Sequence, residues 1–172
     1  MKTTLKLVVV ISMAVLCSNV SAQNIKLAHI SMQELIYSMP EYAAAMESLQ
    51  SFFQDLEKQL EEMRVELNRK IDEFQRLQES WSDLVRQTRI EEIQTMQQRI
   101  ELFQQNAEES VQVEQNKLMQ PILEKANKAI EDVAKAQGVT YVISADPQVL
   151  LFKAVGTLDL LPAVKQHLGI SD

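Results

Sequence analysis

The chain has 172 residues, of which 46% are hydrophobic, 24% charged and 5% aromatic, with three glycines and four prolines. So few turn-forming residues disfavour a compact sandwich or barrel of many short strands and favour long helices. The formal net charge of −7 disfavours binding to nucleic acid or to anionic membrane surfaces.

Residues 1–22 are typical of a secretory signal peptide. Two lysines precede an apolar run at 7–16, and small residues lead up to Ala22, so cleavage after Ala22 and export to the periplasm are predicted. The run is too short to span about 30 Å of hydrocarbon, so the mature protein is expected to be soluble. Lipid attachment at Cys17 is the alternative, although the preceding leucine stands where a small side chain is preferred.

Cleavage at this point removes the only cysteine and two lysines. The mature chain then has 15 basic and 24 acidic residues, a net charge of −9, and cannot form a disulfide. Its stability must come from packing and assembly.

Short elements are predicted ahead of the long helices. Alternating apolar residues favour a strand at 25–30. The segment 31–34 (SMQE) fits a capping box at the start of a short helix, which Pro40 ends because proline lacks an N–H. The segment 38–41 (SMPE) fits a second capping box, where a long helix is predicted to begin.

The long helix carries a narrow apolar seam with a heptad repeat. Eleven of twelve seam positions are apolar: Met46, Leu49, Phe53, Leu56, Leu60, Met63, Leu67, Phe74, Leu77, Trp81 and Leu84. Lys70 occupies the other position, where it either extends outward to solvent or sets the register of a partner helix. So narrow a stripe predicts contact between two helices and not a globular core.

The pattern weakens at 79–88, which is the predicted tip of a helical hairpin. The return helix has apolar residues at spacings of three and four and then drifts towards eleven-residue steps. Counting inward from the tip pairs Leu77 and Phe74 with Ile90 and Ile93, and Leu67 and Leu60 with Ile100, Phe103 or Ala107. An antiparallel hairpin about 60 Å long is predicted.

The C-terminal third is predicted to return to short elements. Pro121 predicts a kink or break in the return helix, and Gly138 its end. Strands at 139–143 and 149–153 are predicted to form a terminal β-hairpin, followed by an amphipathic helix at 158–168.

Three short strands with exposed edges make a poor independent core, so the residues by themselves predict an obligate oligomer in which neighbouring copies supply strands. The predicted domains are the signal peptide, a β-containing oligomerisation body at 23–40 and 122–172, and a helical hairpin at 41–121, here called the arm. The fold class is mainly α with a small β body: a long antiparallel coiled-coil hairpin arm projecting from a short-stranded β oligomerisation domain.

This order of elements resembles the Skp/OmpH family of periplasmic chaperones over nearly all of the mature chain. The segments that carry the resemblance are 26–40 (KLAHISMQELIYSMP), 121–143 (PILEKANKAIEDVAKAQGVTYVI) and 158–169 (LDLLPAVKQHLG). The resemblance implies a homotrimer with a central β-barrel, whose three arms enclose a cavity for unfolded outer-membrane β-barrel proteins. It implies an ATP-independent holdase that prevents aggregation in the periplasm and uses no cofactor.

Charge separates this chain from the best-known members, which are basic and are described as meeting membrane or lipopolysaccharide through positive arm tips. Near the predicted tip, Arg76, Arg86 and Arg89 are offset by four carboxylates, those of Glu79, Asp83, Glu91 and Glu92. A lipopolysaccharide site is therefore not transferred, and contact with a membrane surface is disfavoured.

Client contact requires flexible or apolar side chains, and the candidates are Trp81, Leu77, Met96, Phe103 and Met63. The last four lie on the seam, where packing between two helices is the alternative interpretation. The alternative for Trp81 is that it closes the end of the hairpin.

The sequence offers no catalytic or metal-binding constellation. His29 and His167 lie far apart without carboxylates at ligand spacing, and neither a nucleophile and base pair nor a glycine-rich phosphate loop is present. An enzyme is therefore not predicted. The alternative function is a structural cell-envelope adaptor whose coiled coil binds a folded partner.

Overall fold

The computed structural model describes residues 25–146 and 148–170. The predicted signal peptide, its cleavage after Ala22 and the alternative lipid site at Cys17 lie outside the described residues. In chain order the elements are β1 (Leu27–Ile30), α1 (Met32–Ser38), α2 (Pro40–Leu77), a 3-10 turn (Gln78–Ser80), α3 (Asp83–Ala136), β2 (Tyr141–Ser144), β3 (Leu158–Asp159) and α4 (Leu161–His167). The predicted fold class, mainly helical with a small sheet, is confirmed. No helix within the described ranges has the length and apolar character needed to cross a membrane.

The start of α1 follows the predicted capping box. Ser31 has extended backbone geometry, and its Oγ accepts a hydrogen bond of 3.2 Å from the backbone N–H of Glu34. The second predicted box is wrong, because the hydroxyl of Ser38 donates to the Leu35 carbonyl at 2.7 Å and no side chain caps α2. Helix α2 begins instead with Pro40 in its first turn, a position where the missing N–H costs no helical hydrogen bond.

Helices α2 and α3 form the predicted antiparallel hairpin. With 38 residues, α2 is about 57 Å long. The chain reverses through the 3-10 turn, at the beginning of the predicted tip range, and α3 starts at Asp83. The Oγ of Ser82 accepts from the N–H of Val85 at 3.4 Å and so caps the return helix.

Helix α3 runs for 54 residues without interruption, so of the predicted kink or break at Pro121 the break is wrong. The proline ring is exposed, and the buried Ile122 and Ala126 that follow it hold the next turns against the core. Packing therefore outweighs the one backbone hydrogen bond that proline removes. The helix ends at Ala136, and Gly138, the predicted stop, follows with φ +65° and a 2.9 Å bond from the Val139 N–H to the Ala134 carbonyl.

The sheet has three short parallel strands in the order β2-β1-β3, with β1 in the centre. Leu27 pairs with Tyr141, and Ala28 pairs with Leu158 on the other side. The long hairpin is thus the connection between β1 and β2, since parallel neighbours need a crossover.

The predicted terminal β-hairpin is wrong. Residues 149–153 form no strand; the third strand is Leu158–Asp159, which pairs with β1, so α4 starts at Leu161 and not at residue 158. The two edges of β1 pair with β2 and β3, and the apolar run at 149–153 pairs with neither outer strand.

One face of the sheet and parts of all four helices enclose the core. Fully buried side chains come from α1, the turn before α2, the C-terminal third of α3, and the start of α4: Leu35, Met39, Ala126, Leu160 and Val164. Ala45, at the beginning of α2, also belongs to this cluster. The core therefore lies at one end of the molecule, at the base of the hairpin.

Candidate functional site

The seam between α2 and α3 is only partly closed. From residue 46 to residue 121 the only buried side chain is that of Ile100. The other seam residues of α2 are half-buried, except Phe53 and Leu77, which are 49% and 42% exposed. Two helices bury a narrow stripe between them and leave its margins open to solvent. The arm thus presents apolar surface along its length.

A groove with a volume of about 560 Å³ opens in the seam halfway along the arm. Its apolar lining comes from both helices: Phe53, Leu56 and Leu60 from α2, and Phe103, Ala107 and Val111 from α3. This confirms the predicted proximity of Leu60 to Phe103 and Ala107. Polar side chains form the rim: Glu57, Glu101, Gln104, Gln105 and Glu108. We call this surface the mid-arm groove.

Lys70, the one charged seam residue, reaches across to the return helix. Its Nζ lies 3.1 Å from Glu92 Oε2, and Arg89 lies 3.0 Å from the same carboxylate. The hydrogen bond from Lys70, and then that from Arg89, lower the pKa of Glu92 below its ordinary value. Of the two predicted roles for Lys70, the structure therefore favours the one in which it helps to set the register.

The tip holds Trp81 against neighbouring side chains. The indole meets Phe74 edge-on at 6.0 Å between centroids, and the guanidinium of Arg89 lies 5.8 Å from its ring centroid. Trp81 is consequently half-buried, as expected of a residue that closes the hairpin. Leu84, the second residue of α3, is 78% exposed.

A second pocket of about 610 Å³ lies at the shoulder between the core and the arm. Tyr37 and Tyr42, with ring centroids 5.0 Å apart, line it together with the methionines Met32, Met46 and Met119. Methionine side chains adapt to ligands of different shape. No local pattern in the sequence predicts this pocket, because its lining comes from α1, α2, α3 and the segment that follows β2.

The five predicted client-contact residues do not converge on one site. Trp81 and Leu77 lie at the tip, Phe103 lines the mid-arm groove, and Met96 lines a small cavity beside Lys70. Met63 is half-buried on the seam of α2. Sequence reasoning assigned the other groove residues only to the seam, because the heptad pattern does not reveal where the two helices fail to close.

The loop between β2 and β3 is an exposed apolar segment of the body. Leu151 is 98% exposed and Phe152 is 81% exposed, and Val155 is fully exposed. Clusters of exposed apolar side chains are typical of interaction surfaces.

Residues 26–168 match the family described as outer membrane protein (OmpH-like). The fold is similar to the crystal structure of a protein from Caulobacter crescentus CB15, which is provisionally called an outer membrane chaperone (OmpH-like). The two chains are 16% identical with a TM-score of 0.73, and the similarity covers 84% of this chain and 83% of the other. At this identity the likeness is one of fold. No curated protein matches the chain.

Proposed function

The chain belongs to the OmpH-like family of outer membrane proteins, and on that premise we propose that it is a chaperone that holds unfolded outer-membrane β-barrel proteins in the periplasm. It prevents their aggregation and uses neither nucleotide nor any other cofactor. Membership of the family and the fold shared with the Caulobacter protein support this function.

The observation that carries the proposal is the open seam of the arm. Over 76 positions, from 46 to 121, a single side chain is buried, so the arm is a scaffold with apolar margins and not a core. A holdase makes and breaks no covalent bond of its client, so it needs no catalytic group. It needs many weak contacts that keep client strands apart. Weak contacts along several arms add up to useful affinity.

The body supports assembly into a homotrimer. Its three-stranded sheet has two outer edges, and the exposed segment at 151–155 belongs to the connection between β2 and β3. Strand edges and apolar segments of this kind are covered in stable proteins. In the proposed trimer, the segment of each protomer covers a neighbour's body and the three arms surround one cavity.

The five candidates Trp81, Leu77, Met96, Phe103 and Met63 remain part of this proposal as client contacts. Phe103 is the best placed of them, because it lines the mid-arm groove. Trp81 contributes indirectly by closing the tip.

The test uses the mature chain, from residue 23 onward, and a urea-denatured outer-membrane β-barrel protein. Dilution of the client into buffer without nucleotide should give light scattering that falls as the chaperone is added, reaching a minimum near one trimer per client. Mass measurement of the mixture should show a complex of that composition. Unchanged scattering at a threefold excess of trimer would contradict a holdase.

The adaptor alternative predicts a different result in the same experiment. An envelope adaptor would form a tight stoichiometric complex with one folded protein and would leave the aggregation of unfolded clients unchanged. A competition between folded and unfolded forms of the same barrel protein separates the two functions.

A further inference from the structure

The mid-arm groove is lined by seam residues that differ in size. Helix α2 contributes Phe53, Leu56 and Leu60, whereas α3 contributes Phe103 and, where its repeat drifts to eleven-residue steps, the small Ala107 and the short Val111. The two helices do not close on each other along this stretch. A volume of about 560 Å³ lies within the range of pockets that hold compact apolar groups.

Three carboxylates, those of Glu57, Glu101 and Glu108, stand on the rim of the groove, and all three residues are exposed. Among the residues that the structure describes, none of the three is engaged in an ion pair. By contrast, Glu66, Glu92 and Glu114 elsewhere on the arm each pair with a basic side chain. The rim of the groove thus keeps its negative charge available to a ligand.

The negative charge of the protein is concentrated on the arm. Residues 41–121 have 17 acidic and 9 basic side chains, a net charge of −8, whereas the described body, 25–40 and 122–170, has six of each. The stretches beside the groove, 47–66 and 99–117, account for 10 acidic and 4 basic side chains, a net charge of −6. The arm is therefore most acidic where its apolar lining is most accessible.

We propose that the mid-arm groove holds an extended client segment whose apolar side chains are flanked by lysine or arginine. The apolar side chains enter the groove, and the cationic side chains meet the rim carboxylates of both helices. An alternating strand suits this arrangement, because its successive side chains point to opposite faces and rise by about 3.3 Å per residue. The proposal rests on the holdase function and adds charge selection to it, so that cationic segments are retained and anionic segments are repelled.

The test measures binding of three fluorescent peptides to the whole mature protein by fluorescence anisotropy. The peptides share one apolar core and differ only in their flanks, which are lysine, glutamine or glutamate. At low salt, the lysine peptide should bind about tenfold more tightly than the glutamine peptide, since a few exposed ion pairs of modest strength combine, and the glutamate peptide should bind most weakly. The difference should shrink at 0.15 M salt, where the screening length is about 8 Å.

Matched variants assign the selection to the groove. The triple variant Glu57→Gln, Glu101→Gln, Glu108→Gln should lose the preference for lysine while still binding the glutamine peptide. The control is Asp55→Asn, Glu62→Gln, Glu109→Gln, which removes the same charge from exposed arm positions that do not line the groove. It should keep most of the preference.

If the rim variant and the control variant lost the preference for the lysine peptide equally, the preference would belong to the whole arm and the groove proposal would be overturned. If the three peptides bound the wild-type protein with equal affinity, charge selection would be overturned and the holdase function would stand. The same conclusion would follow if no peptide bound but the protein still suppressed aggregation. A change of oligomeric mass in the rim variant would mean that a second copy of the chain occupies the groove, which also overturns the proposal. Failure to suppress aggregation of any client would contradict the proposed function itself.

Discussion

Asp146 shows how one residue joins parts of the chain that are far apart in sequence. Its carboxylate accepts hydrogen bonds from the hydroxyls of Ser31 at 2.7 Å and Ser144 at 2.8 Å, and from the backbone N–H of Gln33 at 3.4 Å. These bonds, led by that from Ser31, lower the pKa of Asp146 below its ordinary value. The end of β2 is thereby fixed to the start of α1.

Asp146→Asn should destabilise the body by about 1 kcal/mol, because charge-assisted hydrogen bonds become neutral ones or are lost. The pKa of Asp146 in the folded state lies below its ordinary value of about 3.8, which applies in the unfolded chain. The wild-type carboxylate therefore stabilises the protein fully when the pH is above that ordinary value, and this stabilisation is lost as the pH falls through the folded pKa. Urea unfolding from pH 3 to pH 7 should therefore show a smaller acid-induced loss in the variant. Asp55→Asn is the control, and identical pH profiles for wild type and Asp146→Asn would contradict the prediction.

Lys70→Met tests the bridge across the seam. Because Lys70 is the largest cause of the depressed pKa of Glu92, the substitution should raise that pKa towards its ordinary value of 4.5. In the wild type, the contribution of the Lys70–Glu92 pair to the free energy of unfolding is present above pH 4.5 and is lost as the pH falls through the pKa of Glu92 in the folded state. Titration of the side-chain carboxyl carbon by NMR measures the shift. Glu101 serves as an internal reference, and an unchanged Glu92 would mean that the bridge does not persist in solution.

At the scale of the secondary-structure elements, helices begin and end where neighbouring residues predict, as long as no tertiary contact opposes that local preference. The serine cap of α1, the proline at the start of α2, the heptads of the seam and the glycine that ends α3 are each determined by a few neighbouring residues. The second capping box failed because Ser38 has another acceptor within reach, the carbonyl of Leu35. The four residues of the motif do not show that the hydroxyl of Ser38 has this other partner.

Pro121→Ala should stabilise the protein by about 1–3 kcal/mol, because it restores one helical hydrogen bond and removes the clash of the ring with the preceding turn. The side chain at this position is exposed, so no core contact is lost. Thermal unfolding followed by circular dichroism measures the gain. The same substitution at Pro40, which already occupies a favourable first-turn position, should give no comparable gain. A loss of stability at position 121 would show that the proline is required for the path of the helix.

At the scale of the molecule, the body of a single chain leaves several apolar side chains exposed. The loop between β2 and β3 has its apolar side chains in solvent, whereas the same kind of residue in α1 and α4 is fully buried. Exposed apolar area of this kind makes a large contribution to assembly when a neighbouring copy covers it.

The double variant Leu151→Glu, Phe152→Glu should dissociate the proposed trimer into monomers, since burying two carboxylates in an apolar contact is strongly unfavourable. Sedimentation equilibrium of the mature protein measures the mass. Val113→Glu, which changes an exposed apolar residue of the arm, is the matched control and should leave the trimer intact. A double variant that remains trimeric would place the subunit contact elsewhere.

The sequence by itself determined the hairpin, the region of its tip and the places where α1 and α2 begin, because each depends on periodicity, capping or a proline among nearby residues. It also located the apolar residues that line the mid-arm groove, although only as members of a seam. Only the tertiary structure decided that the strands of the sheet are parallel and that the apolar run at 149–153 forms no strand. It alone decided that α3 continues through Pro121 and where the seam stays open. These depend on which partners a segment meets across long stretches of chain, and on the sizes of side chains that face each other, which no local pattern contains.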